Sequence, residues 1–464
     1  MILLSALLAG NESVAETRDF EAMAKGVSEE VPAAAPVRFL GSVRFGKDKD
    51  IGQFELGNGL RIILLEDHSA PVLSYQTWYG VGSRFEKRGK TGIAHLFEHL
   101  MFKGTENYPH DVFDRIFEEA GAQVNAATWL DWTFYFENLP AGQLELAARL
   151  EADRMVRLVL NQAQLDSERD VVKNERRFRV DNDPDGIMDE TLLAMVFPTH
   201  PYGMPTIGYM EDIDNLTLDD CLTFYRTYYS PGNATLVIVG DVGARESLVT
   251  VAKQYGSIPR VEIPPSNPAP EKVQTKAMEK TLKLPVASEK ARMAWRAVPA
   301  TDNDVHALDL ANEVLFSNES SRVYRILVED KGLASDVDGA MEAFRLDGLF
   351  VVDLVMNAGK KADEAVEVVL SEMERLAREG PTEVELARAK NHMEAAFQRS
   401  LASVGSRATQ LGMYELTAGD FRGMFTFVDQ IRSVTAADVK RMVGKLLVRD
   451  RVNIVYGKPG KNGR

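Results

Sequence analysis

The sequence predicts an α+β fold built from two related domains, and three observations carry that reading. Strand-like runs alternate with long helical stretches, a proline-rich segment divides the chain near its middle, and residues on either side of it recur at a nearly constant spacing. A length of 464 residues exceeds one ordinary domain.

In chain order, Met1 to Gly10 is apolar and followed by small residues, as in a secretory signal, but lacks a basic start. It reads either as the remnant of an export signal, implying a periplasmic or otherwise exported protein, or as a plain N-terminal helix of a cytoplasmic or organellar one. Residues 11–45, rich in Ala, Glu and Val, read as a tether without a core, so that 1–45 form a leader or tether. Ordered structure is expected from near Ile51, where Ile51 to Leu56 alternates as a strand, followed by a second strand at Arg61 to Leu65. The first domain is placed at 46–257. Ile258 to Pro270 holds five of the 19 prolines and begins an extended linker, 258–274. The second domain, 275–464, contains a strand at Leu349 to Leu354 and a helix from Ala362 to Glu379.

The two domains read as copies. Glu168, Lys173 and Asn174 recur as Glu385, Lys390 and Asn391, displaced by 217, and Thr217 and Asp220 recur as Thr435 and Asp438, displaced by 218. The strand ending Val237 to Gly240 returns at Asn453 to Gly457. A nearly constant offset over three segments marks a duplicated unit.

Composition excludes some functions. The apolar share of 45% is that of a globular protein, and no run is long enough to span a bilayer. A net charge of −15 argues against nucleic acid and mildly favours basic peptides. Cys221 is the single cysteine, so no intrachain disulfide forms.

The chemistry concentrates at His95-Leu96-Phe97-Glu98-His99. Residues four apart on a helix lie one above the other, so His95 and His99 can grip one metal ion while Glu98 stands beside them. Surface histidines on a helix would explain an isolated pair. Here Ile93, Leu96, Leu100 and Met101 indicate burial, and a carboxylate buried between two imidazoles calls for a compensating cation. Two His nitrogens suit zinc, which in catalytic sites takes three protein ligands and keeps one position open. Downstream, Leu165 to Arg177 reads as a helix on which Glu168 and Glu175 share a face, two turns or about 10.5 Å apart. Either could supply the third ligand.

At this point the chain resembles the pitrilysin family of metalloendopeptidases, whose inverted His-x-x-Glu-His motif is followed some seventy-five residues later by a ligand Glu. Met101 to Thr105, Gly121 to Thr128, Asp131 to Tyr135, His200 to Gly203 and Tyr229 to Asn233 extend the resemblance over most of residues 50–240. It is nearest to the processing-peptidase branch. The resemblance implies one zinc held by His95, His99 and Glu175, with Glu98 as general base and Glu168 as a supporting catalytic carboxylate behind the ligands. It also implies that Gln123 to Thr128 is an edge strand on which substrate adds as another strand, with Asn125 and Ala126 binding it. Each chain is expected to be a bowl-shaped half of a clamshell closing on a second bowl to form a chamber.

Carrying the offset back, the four motif positions map to Asn312, Leu315, Phe316 and His392, so the second copy has lost the ligand set. His392 reads as an ordinary histidine. The family's active chains often carry Leu-Arg, then six residues, then Tyr, a pair that binds substrate from across the chamber; here Val328 and Ser335 stand there. The expectation is a zinc-bearing endopeptidase subunit acting on peptides or unfolded segments and paired as a heterodimer with a homologous zinc-free chain that supplies Arg and Tyr. A self-sufficient homodimer and a non-catalytic structural subunit are the rival readings.

Overall fold

The computed structural model describes residues 19–460, so the Met1 to Gly10 segment lies outside the described residues. Twelve strands are found among them: β1 Val37–Phe45, β2 Lys49–Leu56, β3 Arg61–Glu66, β4 Val72–Tyr79, β5 Gln123–Thr128, β6 Thr133–Pro140, β7 Ala234–Gly240, β8 Met278–Leu284, β9 Lys290–Arg296, β10 Ala334–Ala343, β11 Gly348–Met356 and β12 Asn453–Pro459. They form a seven-stranded sheet in the order β1-β2-β3-β7-β4-β6-β5 and a five-stranded sheet in the order β10-β11-β9-β12-β8.

The duplication is visible in these orders. In the first sheet β3 runs parallel to β7, and β7-β4, β4-β6 and β6-β5 are antiparallel. In the second, β8 runs parallel to β12, and β12-β9, β9-β11 and β11-β10 are antiparallel. Five strands thus repeat with the same neighbours and polarity. The helix Leu218–Tyr228 that precedes β7 and the helix Ala436–Leu446 that precedes β12 both start with a reciprocal capping box, Thr217 with Asp220 and Thr435 with Asp438. The first sheet alone adds the β1-β2 pair outside β3.

Residues 20–45 correct the expectation of a tether. Phe20–Glu30 is a helix whose Phe20, Ala24 and Val27 are buried, and β1 pairs with β2 along its length. The Phe20 ring meets Phe39 and Phe54 at centroid distances of 5.8 and 5.5 Å, so three aromatic side chains fasten the segment to the sheet.

Two compact units emerge, each with its own core. The first gathers residues up to Val172, Thr206–Asn267 and Ser400–Phe425; the second gathers Lys173–Pro205, Pro268–Arg399 and the chain from Thr426 onward. The non-contiguous pieces have a common logic. In the first unit the helix Val404–Met413 packs on β4 and β7; in the second the helix Pro184–Val196 packs on β9 and β12, the equivalent strands. These helices occupy equivalent places in the two copies, so each copy lends one helix to the other copy's sheet. Residues 258–277 between the copies contain no helix or strand.

The lent helix of the first unit is held by charge as well as packing. Asp67, fully buried at the end of β3, accepts from Ser69 N at 3.0 Å, meets Lys49 Nζ at 3.1 Å and pairs with Arg407. Burial alone would raise the Asp67 pKa, but the hydrogen bonds from Ser69 and Lys49 and the Arg407 charge outweigh it and hold the carboxyl at about 2. A carboxyl depressed on folding stabilises the native state above its unfolded pKa, and that contribution is lost as pH falls through the folded value. Acid unfolding followed by circular dichroism should therefore show a stability loss between about pH 4 and pH 2, and Asp67→Asn should flatten the slope in that window. An unchanged slope would show that Arg407 and Lys49 do not discriminate the ionised carboxyl.

Candidate metal centre

The motif lies on the helix Ile93–Leu100, whose Leu96, Phe97 and Leu100 are buried. Phe97 packs against Phe224, Tyr225 and Tyr229, which turns His95, Glu98 and His99 to the half-buried side. The helix lacks a side-chain cap of its own, starting after Gly92 at φ +84°. Glu86, buried, reaches back instead and accepts from Gly92 N at 2.8 Å and Ala94 N at 2.9 Å. Burial pushes the Glu86 carboxyl up to about 8 against the pull of those two amides. Gly92 is required twice, for its left-handed φ and because a Cβ there would stand 2.6 Å from the Ile207 carbonyl oxygen.

The second helix, Gln162–Arg176, buries Leu165 and Val172 in the same core as the motif helix. Glu175 lies in its last turn, and the helix continues as a π-type turn over Arg177–Asp181. One ligand atom each from His95, His99 and Glu175 lies within 4.8 Å of the others, all three residues being half-buried. This is the single group of three such residues among the described residues. Zinc bonds to nitrogen and oxygen are about 2.0–2.2 Å, so modest side-chain rotation suffices to bring the set onto one ion. Two imidazoles and one carboxylate, with Glu98 beside them, are a donor set suited to zinc.

Glu168 stands one step back. It is buried, with Oε2 3.4 Å from His99 Nδ1 and Oε1 2.6 Å from Lys103 Nζ. Burial would raise its pKa, but His99 and Lys103 together lower it, so it stays ionised. With Nδ1 turned to Glu168, Nε2 is the His99 nitrogen that would be offered to an ion, as when an outer carboxylate orients a ligand imidazole. Arg179, one turn beyond Glu175, pairs with Glu175 Oε1 at 3.1 Å. Glu98 Oε2 accepts a short hydrogen bond of 2.5 Å from Thr128 Oγ1 at the end of β5.

β5 is the outer strand of its sheet, paired on one side with β6. Asn125 is exposed and its Oδ1 accepts from Ala126 N at 2.9 Å. In the second unit Val328 is half-buried against the core and Ser335 is exposed on β10, with Oγ donating to the Val355 carbonyl at 3.2 Å. His392 pairs with Glu313 Oε2 at 2.7 Å. Sequence reasoning passed over Glu86, Thr128 as the partner of Glu98, and Lys103 as the partner of Glu168. The i, i+4 spacing of Arg179 from Glu175 was readable; the others become neighbours through folding alone.

Residues 61–209 match the family described as Insulinase (Peptidase family M16), and residues 215–393 match Peptidase M16 inactive domain. The zinc protease PqqE of Helicobacter pylori is 30% identical over 410 residues, covering 87% of this chain and 92% of that protein. The mitochondrial-processing peptidase subunit beta of Lentinula edodes is 26% identical over 424 residues, covering 87% and 90%. The crystal structure of a protease from Helicobacter pylori superposes with a TM-score of 0.84 at 29% identity, over 88% of this chain and 99% of that one.

Elemental analysis of the purified protein should find about one zinc per chain, and His99→Ala should lose most of it. Glu175→Gln should weaken zinc more than Glu168→Gln, whose cost should be on the order of 10–100-fold in affinity. The opposite ranking would exchange their roles, and full zinc in a His95→Ala, His99→Ala double variant would remove the assignment altogether.

Proposed function

The chain belongs to the M16 peptidase family, and from that premise we propose that it is a zinc-dependent endopeptidase subunit that hydrolyses peptides or unfolded segments. The observation that supports this most is the convergence of His95, His99 and Glu175 with Glu98 alongside.

In this reading His95, His99 and Glu175 hold the ion. Zinc bound there supplies a Lewis acid for the scissile carbonyl and lowers the pKa of the attacking water to about 7. Glu98 takes the proton from that water and later passes it to the leaving amine, two transfers that need a carboxylate held in one place. Thr128 Oγ1 donates to Glu98 Oε2 and helps to hold that carboxylate in place. Glu168 orients His99 and is itself steadied by Lys103. The peptide pairs as an extra strand along β5, where Asn125 and Ala126 lie on the outer strand. Such pairing is through main-chain groups and tolerates varied sequence.

The same family membership frames the second half. Val328 and Ser335 cannot bind a carbonyl as Arg and Tyr would. We propose that a homologous zinc-free chain contributes that pair and that the two chains together enclose the reaction.

Glu98→Gln preserves shape and removes the proton acceptor. Zinc content should remain normal while kcat falls by a factor on the order of 10²–10⁴; near-normal kcat would exclude Glu98 as the base.

A further test concerns the partner. The isolated chain should bind zinc yet cleave peptides poorly, and Val328→Arg with Ser335→Tyr should raise that activity. Robust cleavage by the unmodified chain, free of a second polypeptide in native mass measurements, would return the homodimer to first place.

A further inference from the structure

A cleft of about 400 Å³ opens beside the start of β5 in the first unit. The sheet contributes Gln76 of β4, Gln123 of β5, and Phe136 and Asn138 of β6. The opposite wall is Ser400–Gln410, including Ser406 and Thr409 of the lent helix Val404–Met413. Every residue lining the cleft is uncharged, in a protein of net charge −15. Its floor is preorganised: Gln76, 1% exposed, donates through Nε2 to Thr409 Oγ1 at 3.1 Å and to the Gly405 carbonyl at 3.3 Å.

Its position relative to the metal centre follows from strand geometry. Thr128, at one end of β5, touches Glu98, and Gln123, at the other end, lines the cleft. Five residues of strand span about 17 Å. Gln123 and Asn125 project to the same face of β5, since side chains alternate along a strand. A peptide added to the free side of β5 sends alternate side chains to that face, and the one level with Gln123 enters the cleft.

We propose that this cleft is a side-chain subsite for the extended substrate, selecting an uncharged hydrogen-bonding residue such as Gln, Asn, Ser or Thr about four to six residues from the scissile bond. Amides and hydroxyls both donate and accept, so a neutral polar side chain finds partners on either wall. A Lys or Glu side chain would leave water for a lining without a counter-charge, and that cost opposes it. The long-range attraction of an acidic protein for basic peptides is therefore reversed at this one position. The inference rests on β5 being the strand that receives substrate.

The test uses the zinc-loaded full chain carrying Glu98→Gln, so that binding is measured without turnover. Alanine-based fluorescent peptides with a single Gln, Lys or Glu at successive positions are titrated by anisotropy. At one register Gln should bind about fivefold tighter than Lys or Glu. Ser406→Glu, an exposed position on the helix, should shift the preference at that register towards Lys, and Ser406→Lys towards Glu. Equal affinity for all peptides, or preferences unmoved by both substitutions, would overturn the subsite while leaving the peptidase reading intact. Absence of binding by every peptide would overturn the subsite together with β5 as the strand that receives substrate, whereas the peptidase reading stands or falls on the zinc content and the Glu98→Gln kinetics.

Discussion

A single buried carboxylate joins the two helices that carry the candidate metal centre. Glu168 projects from the helix that ends with Glu175 and meets both His99 and Lys103 on the motif helix and the turn that follows it. The second unit keeps the counterpart without the candidate ligand residues. Glu385 is paired with Arg322 through two contacts of 2.6 Å, and that guanidinium, against the cost of burial, holds its carboxyl at about 2. Arg322 lies seven residues beyond the helix Val305–Leu315, close to but not at the place that Lys103 holds after Ile93–Leu100. An ion pair retained where the chemistry is gone is first a structural clamp; in the first unit the same clamp also orients an imidazole.

The exchange of helices explains why the compact units are not contiguous in the chain. A five-stranded sheet with helices on one face leaves the other face to be covered. In the first unit that cover is the helix Val404–Met413, where Gly412 lies against the Trp78 indole and Arg407 reaches buried Asp67. In the second it is the helix Pro184–Val196, with Lys290 pairing to Asp185 at 2.6 Å. Neither sheet is complete from its own sequence copy, so the copies fold as mutually dependent partners. The uncharged cleft arises from this arrangement, since one of its walls is the lent segment.

Catalysis in the proposed reading relies on two unequal kinds of order. The motif helix is fixed by Glu86 on its first amides and by an aromatic cluster behind Phe97, so the ligands start from a rigid support. β5 is more exposed, with its outer side unpaired by any other strand. Thr128 connects the two, because it ends the strand and holds Glu98. Substrate pairing along β5 and orientation of the base are thereby mechanically linked.

Much of the site was legible in the sequence because helical spacing is local. Residues four apart share a face whatever surrounds them, so the alignment of His95 with His99, and of Glu168 with Glu175 on one face, followed from order alone; which of the two carboxylates is the ligand rests on the resemblance. The duplication was legible too, since a constant offset survives folding. Residues 20–45 were misread as a tether from their composition, because β1 gains its pairing from β2 and its helix gains its core from the sheet, neither of which composition records. Tertiary structure alone decided which sheet each lent helix covers, that Glu86 caps the motif helix, and that Thr128 meets Glu98. Those contacts join residues made neighbours by the path of the chain, and amphipathic pattern specifies that a face is buried without specifying against what.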